Sequence, residues 1–364
     1  MSEVREMILS TVDRFMANSV PAELLEKFQP DTWYGSLWRE VEEAGLPLAA
    51  VSEAGGGVGL RLDDALAMLR PLAGGSVPLP VGETIVARWL AEKAGIALGD
   101  GPHMFAPGEP QDTVALSRHG EGFAVRGTAH RVPWARHAAS VLIHLDWDGR
   151  SHVARIQPGQ WRSTPGQNLA GEPRDDIAVE VELDAADVRP LDGFTAEQWL
   201  ALGAAMRSVQ IAGAVQRALD LTVTYVGERS QFGRKLQQFQ AVQQNLALMA
   251  GQVASANAAA ELAMEAAGRG VRTAPIAAAK IRCGEAARLV AQLGHQLHGA
   301  IGFTAEYSLQ LATRRLWSWR DEFGDESHWA ESIGRQVCGE GGAGVWPWIT
   351  AATSYGATPA SSAA

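Results

Sequence analysis

The stretch "AVQRALDLTVTYVGERSQFGRKLQQFQAVQQNLALMA", residues 214–250, places a polar, turn-forming connection between two alanine-rich helical runs. Packing two helices together requires none of the residues at its centre. Arg229 offers charge-assisted hydrogen bonds of the kind that grip a phosphate or pyrophosphate. Phe232 has the shape to cover a flat ring, Gly233 permits a tight turn or a close approach, and Gln240 brings an amide to the start of the next helix. The plain alternative is a surface arginine in a helical connection. A second stretch, "HQLHGAIGFTAEYSLQLATRR" at 295–315, breaks another long helical run at Gly299 and Gly302 and exposes backbone groups beside Gln296 and His298.

Working outward, the alanine-rich periodicity predicts long helices at 196–227, 238–269, 273–298 and 306–320, the pattern of a four-helix bundle over 193–335. Ahead of it, residues 99–192 read as short β-rich runs separated by Gly, Pro and Asp, which predicts a middle antiparallel β-domain. Residues 1–98 carry helical segments followed by glycines, an N-terminal all-α domain interrupted by the loop-like "PLAAVSEAGGGVGL" at 47–60. Residues 336–364 read as a flexible tail ending in "ATPASSAA".

Forty-one acidic against 31 basic residues give a formal net charge of -10, which argues against nonspecific nucleic-acid binding. No apolar run reaches the length of a membrane span, and "MSEVREMILSTVDRFM" reads as an amphipathic helix, not a secretory signal. Cys283 and Cys338 stand far apart, without metal-ligand spacing, and fit two free thiols in a reducing cytoplasm. There is no HExxH, CxxC, serine elbow or GxGxxG pattern, and "GGGVG" at 55–59 lacks a strand-turn-helix context. No metal site is expected. Trp317, Trp319, Trp329, Trp346 and Trp348 crowd the C-terminal end; core or interface packing is the reading expected of them, and lining a pocket the alternative.

Taken together, "GLPLAAVSEAGGGVGL", residues 214–250 and "QLHGAIGFTAEYSLQLATRR", within the order helices, sheet, helical bundle, resemble the acyl-CoA dehydrogenases. These flavin enzymes oxidise acyl-CoA thioesters between the α and β carbons. The resemblance covers about residues 1–335 and implies FAD as cofactor. It assigns Arg229 to the pyrophosphate of an FAD on a neighbouring subunit, with Phe232 and Gln240 holding the same cofactor. Gln296, Gly299 and Ala300 would bind the other end of that FAD, so a monomer should be incomplete.

The resemblance fails where the chemistry should be. The family needs a carboxylate base to remove the α-proton while hydride leaves the β-carbon, and it must lie in contact range. One family position for that base, a glutamate before a glycine, falls here on Phe323, followed by Gly324. The other, on an earlier helix, falls on Gly203. Glu322 is adjacent to Phe323, though on a helix it would point about 100° away; it is the remaining candidate base within "RDEFGDESHWAE" at 320–331, ahead of Asp325. A solvated acidic connection is the plain reading of that segment. The "TEP.AGSD"-like loop that contacts flavin and substrate in the family is also replaced, by "GPHMFAPGEPQDTVAL" at 101–116.

These departures resemble the base-lacking subunit of heteromeric acyl-CoA dehydrogenases, such as those acting on steroid side chains, dicarboxylic or cyclic acyl-CoAs. The resemblance implies a homologous partner subunit in an α2β2 heterotetramer, an acyl-CoA substrate and an electron-transferring flavoprotein as acceptor. A homomeric dehydrogenase using Glu322 or another displaced carboxylate, and a flavin-free structural or interaction subunit, are the competing expectations.

Overall fold

The computed structural model describes residues 3–21, 29, 32–339, 346, 349 and 350. Helices α1 (Glu3–Ser19), α2 (Gly35–Glu43), α3 (Leu62–Ala67), α4 (Leu69–Gly74) and α5 (Val81–Ala94) form the N-terminal domain. In α1 the apolar stripe Ile8, Val12 and Phe15 turns inward at helical spacing, as the amphipathic reading required. The glycine-rich 47–60 segment contains only short 3-10 turns, and Ser52 caps one of them by accepting from the Gly55 N–H at 3.2 Å.

Two four-stranded sheets follow, with strand orders β1-β4-β5-β8 and β2-β3-β7-β6. The strands are β1 (His103–Phe105), β2 (Ala115–His119), β3 (Gly122–Pro133), β4 (Ser140–Trp147), β5 (Arg150–Ile156), β6 (Trp161–Thr164), β7 (Arg174–Leu183) and β8 (Val188–Pro190). Pairing is antiparallel throughout except that β1 runs parallel to β4, one departure from the sheet expected. Branched residues such as Val125, Val141, Ile143 and Ile177 fill the core of this domain.

The bundle is α6 (Ala196–Glu228), α7 (Gln240–Gly268), α8 (Thr273–His298) and α9 (Leu309–Asp321), joined by α10 (Glu326–Gly339). Thr195 and Gln198 form a capping box that starts α6, each backbone N–H donating to the other's side chain at 3.0 and 3.1 Å. Residues 201–215 of α6 are then buried without a break, because the helix passes between the N-terminal helices and the rest of the bundle. One core joins those two helical layers. Helix α10 continues to Gly339, four residues past the bundle boundary expected at 335; most of the tail that was expected to be flexible, and Trp348 with it, lies outside the described residues.

Candidate functional site

Helix α6 carries both halves of the question. Gly203 lies in its buried part and Arg229 is its C-cap, so at ~1.5 Å per residue the two are roughly 39 Å apart along one rod.

At the buried end, the two positions where a base was expected meet. A β-carbon built on Gly203 would lie 2.0 Å from the Phe323 ring, so that ring occupies the space a side chain at 203 would need. Phe323 is 2% exposed and stacks on Phe105 at 5.2 Å, with Trp199 meeting Phe105 edge-on at 5.8 Å. Trp199 is fixed in turn by its indole N–H, which donates to the Ala106 carbonyl at 2.7 Å. Phe323 adopts φ +55 and Gly324 φ +83, a left-handed pair that ends α9. For a bulky residue this conformation costs on the order of 1–2 kcal/mol, offset here by burial of the ring. Two anchors hold the turn: the Trp329 indole N–H donates to the Phe323 carbonyl at 3.0 Å, and Lys280 Nζ donates to the Arg320 and Gly324 carbonyls at 2.6 and 2.8 Å. Burial pushes the Lys280 ammonium down to about 8, against the pull of Glu326.

Beside the aromatic plug lies an ionic network that sequence reasoning missed. Glu322 is 5% exposed, and its carboxylate accepts from Arg174 Nε at 2.8 Å, Arg174 Nη2 at 3.0 Å, Arg207 Nε at 2.8 Å and Asn168 Nδ2 at 3.0 Å. Arg207 also donates to Glu83 at 2.7 Å and Gln210 at 2.5 Å, and Arg315 donates to Glu172 at 2.9 Å. Glu172 accepts further from Arg174, Asn168 and the Trp319 indole. Three carboxylates thus meet three guanidiniums, all buried, drawn from α5, the β-domain and the bundle. Burial alone would raise the Glu322 carboxyl, but Arg174 and Arg207 outweigh it and hold it at about 2. A carboxylate so placed takes up a proton poorly and has its lone pairs occupied. The remaining hollow beside Glu83, Glu172, Arg207, Gln210, Trp134 and Trp319 is about 20 Å³, room for one water.

The residue types gave one clue: Arg207 is the lone charge in the apolar helical run "LGAAMRSVQIAG", and Glu83 shares the otherwise apolar "VGETIVARWL" with Arg88 alone. Trp319 and Trp329 serve packing, as expected of the C-terminal tryptophans, whereas Trp346 is exposed. Asp325, the second acidic candidate, is exposed and caps α10 by accepting from the His328 N–H at 2.8 Å. On the other side of Trp199, an open cleft of about 320 Å³ separates Ala106–Gly108 and His144 from Glu197, His328 and Arg335.

The opposite end of α6 is open. Arg229, Phe232, Gln240, Gln296, Gly299 and Ala300 are all exposed, with Phe232 at 91%. The chain turns at Phe232–Gly233 in a hairpin of β9 (Ser230–Gln231) and β10 (Arg234–Lys235), whose Arg234 lies over the Phe239 ring at 3.9 Å. The end of α8 meets this end of α6, as His298 stacks on Tyr225 at 4.4 Å. The fold therefore brings all six residues to one end of the bundle and keeps Glu322 away from them. Among the described residues the Arg229 guanidinium has no hydrogen-bonding or ionic partner, so its charge faces outward. One guanidinium, two amides, an exposed ring and open glycine turns have the chemistry of half a site for an anionic ligand with a flat ring.

Residues 192–337 match the model of the acyl-CoA dehydrogenase C-terminal domain. The helical bundle is thus an acyl-CoA dehydrogenase C-terminal domain. The acyl-CoA dehydrogenase IpdE2 of Mycobacterium tuberculosis is 28% identical over 325 residues, covering 86% of this chain and 91% of the relative. The fold of the family extends over the whole described molecule: a chain of the ChsE4-ChsE5 complex of M. tuberculosis superposes with a TM-score of 0.85 at 21% identity, covering 93% of this chain and 98% of that one. A chain of the Tcur3481-Tcur3483 steroid acyl-CoA dehydrogenase matches with a TM-score of 0.82 at 22% identity, covering 93% and 98%. No helix among the described residues is long and apolar enough to cross a membrane.

Proposed function

We propose that this acyl-CoA dehydrogenase chain is the flavin-holding subunit of a heteromeric enzyme for α,β-desaturation of an acyl-CoA thioester. Arg229 would pair with the FAD pyrophosphate, Phe232 and Gln240 would border the cofactor, and Gln296, Gly299 and Ala300 would hold its far end. When bound, FAD supplies the acceptor for the hydride leaving the β-carbon. A homologous partner subunit supplies the base and the acyl pocket. One observation carries the reading: both base positions are closed by the single Phe323 ring, while the flavin-holding face is open roughly 39 Å away on the same helix.

In this reading Glu322 is a buried counter-ion for Arg174 and Arg207, in place of the catalytic role left open by its position in the sequence. Its carboxylate oxygens are already engaged by Arg174, Arg207 and Asn168. The names of the fold relatives, a complex of two unlike chains and a steroid enzyme, support an α2β2 assembly and a bulky, steroid-derived acyl group. By family an electron-transferring flavoprotein takes the electrons. The cytoplasm suits its two free cysteines, Cys283 buried and Cys338 exposed.

Purification of the chain with its natural partner tests the assignment. One FAD per two unlike chains is expected, and none on this chain alone. Stoichiometric FAD on the chain alone, bleached by acyl-CoA and no longer bleached in Glu322→Gln, would overturn it.

A further inference from the structure

Two histidines one turn apart end α8 and clasp the turn Gly299–Phe303 that follows. His298 is 4% exposed; its ring stacks on Tyr225 of α6 and tilts against Tyr307 at 4.9 Å. Its Nδ1 lies 2.7 Å from the Gly294 carbonyl, which only accepts, so Nδ1 carries the proton and Nε2 the lone pair. Nε2 is buried and makes no hydrogen bond of good geometry, although the Leu221 carbonyl lies toward it and already accepts from Tyr307 Oη at 3.2 Å. His295 stacks on Phe303 at 4.2 Å, and its Nε2 lies 2.8 Å from Thr313 Oγ1. The turn presses on both rings: a β-carbon on Gly302 would lie 2.9 Å from His298 Cβ and 3.3 Å from His295 Nδ1.

The partner of His298 sits at a telling place. The Tyr225 carbonyl accepts the backbone N–H of Arg229 at 2.9 Å, and Gly299 follows His298 directly at φ +65, ψ −143, a conformation open to glycine alone. The stack therefore joins the last turn of α6 to the last residue of α8. An apolar ring would fill the same volume without burying an unpaired nitrogen. What it would lack is the Nδ1–Gly294 bond, which fixes the plane of the ring against Tyr225.

We propose that His298 is a positioning residue: stacked on Tyr225 and oriented by Gly294, it couples the Arg229 hairpin to the Gly299–Phe303 turn and holds the two halves of the flavin-holding face at a fixed spacing. The inference rests on the flavin-holding reading for its consequence, but not for the coupling itself. The groups facing His298 are Tyr225 from α6, Tyr307 from the segment before α9, and His295 on its own helix; Glu228 and Arg217 act on Tyr307. Burial lowers the His298 imidazole below 6.5, against the opposing pull of the Gly294 and Leu221 carbonyls. The neutral ring is the native form, so the coupling is complete above 6.5 and is lost as pH falls through the lowered value.

The test compares His298→Ala and His298→Phe with the wild type, in the full chain alone and in the complex purified with its natural partner. Hydrogen exchange on the chain alone should quicken in His298→Ala at both 226–236 and 299–304, with the melting temperature of the bundle little changed. In the complex, FAD affinity read by flavin fluorescence should fall about ten-fold or more. His298→Phe, which keeps the stack, should recover most of that affinity and lose the wild type's weakening at acid pH. Faster exchange confined to 299–304, or wild-type FAD affinity and pH profile in both variants, would overturn the coupling. If His298→Ala fails to fold, the pH profile of His298→Phe decides in the same way. A wild-type complex without FAD would overturn the proposed function, and the exchange experiment would still decide the coupling.

Discussion

The two ends of α6 have been treated in opposite ways. At Gly203 the helix is sealed: a phenyl ring fills the notch, three guanidiniums neutralise three carboxylates, and the hollow among those charges is water-sized. At Arg229 it ends in an outward-facing cation, an exposed phenylalanine and open glycine turns. Interior features of this kind set stability, whereas exposed ones contribute little to it and are free to serve recognition. On the proposed function, the second set is what a chain without a base would keep to hold flavin.

The largest effect should come from breaking the sealed end at its centre. Arg207→Met strands the Glu83 carboxylate in the interior and leaves Glu322 with Arg174 as its one cation, and about 3–5 kcal/mol of stability should be lost in urea denaturation. Hydrogen exchange of the 229–236 hairpin should stay as it was; if the hairpin loosens with the network, the two ends are not independent.

Acid should act on the same network. The Glu322 carboxyl is held at about 2 against 4.5 for the free group, so its contribution is complete above 4.5 and disappears as pH falls through about 2. That difference corresponds to a stabilisation on the order of 3 kcal/mol. Glu322→Gln should flatten this part of the stability curve, and an unchanged acid limb would show that Glu322 is not the group responsible.

A smaller loss, about 1–3 kcal/mol, is expected for Gly203→Ala, whose new methyl group would collide with the Phe323 ring. Paired with Phe323→Leu, the two changes should cost less than the sum of their separate effects, the signature of residues in contact. Strict additivity in a double-mutant cycle would mean that the notch and the ring do not meet.

The smallest stability change belongs to the open end. Arg229→Ala should alter folding by no more than about 0.5 kcal/mol while stripping FAD from the complex. Retained FAD in that variant would remove Arg229 from the cofactor site.

The helical frame was readable because its signal is local. The run expected at 273–298 is helix α8 over the same residues, and that expected at 196–227 is α6 extended by one residue. Phe323 and Gly203 could each be counted to in the sequence, but their meeting in space depends on how α6 and the turn after α9 pack. The ionic network is harder still, since Glu83, Glu172, Arg207 and Glu322 come from three domains and no spacing announces them. Lone charges in apolar runs mark that something buried needs a partner without naming it. His298 was visible as a neighbour of Gln296, whereas its stack on Tyr225 exists only once α6 and α8 lie side by side.

The turn at Phe323 also constrains descent. One ring closes both places where a base would stand, and the charges beside it already balance three against three. Exchanging Phe323 for glutamate in a single step would open a hole, leave a left-handed backbone without the packing that offsets its strain, and add a fourth carboxylate beside a network already in balance. On the proposed function, a return to independent catalysis would need several coordinated changes. On that same proposed function, the plug acts as a ratchet, binding the lineage of this chain to a partner that carries the base.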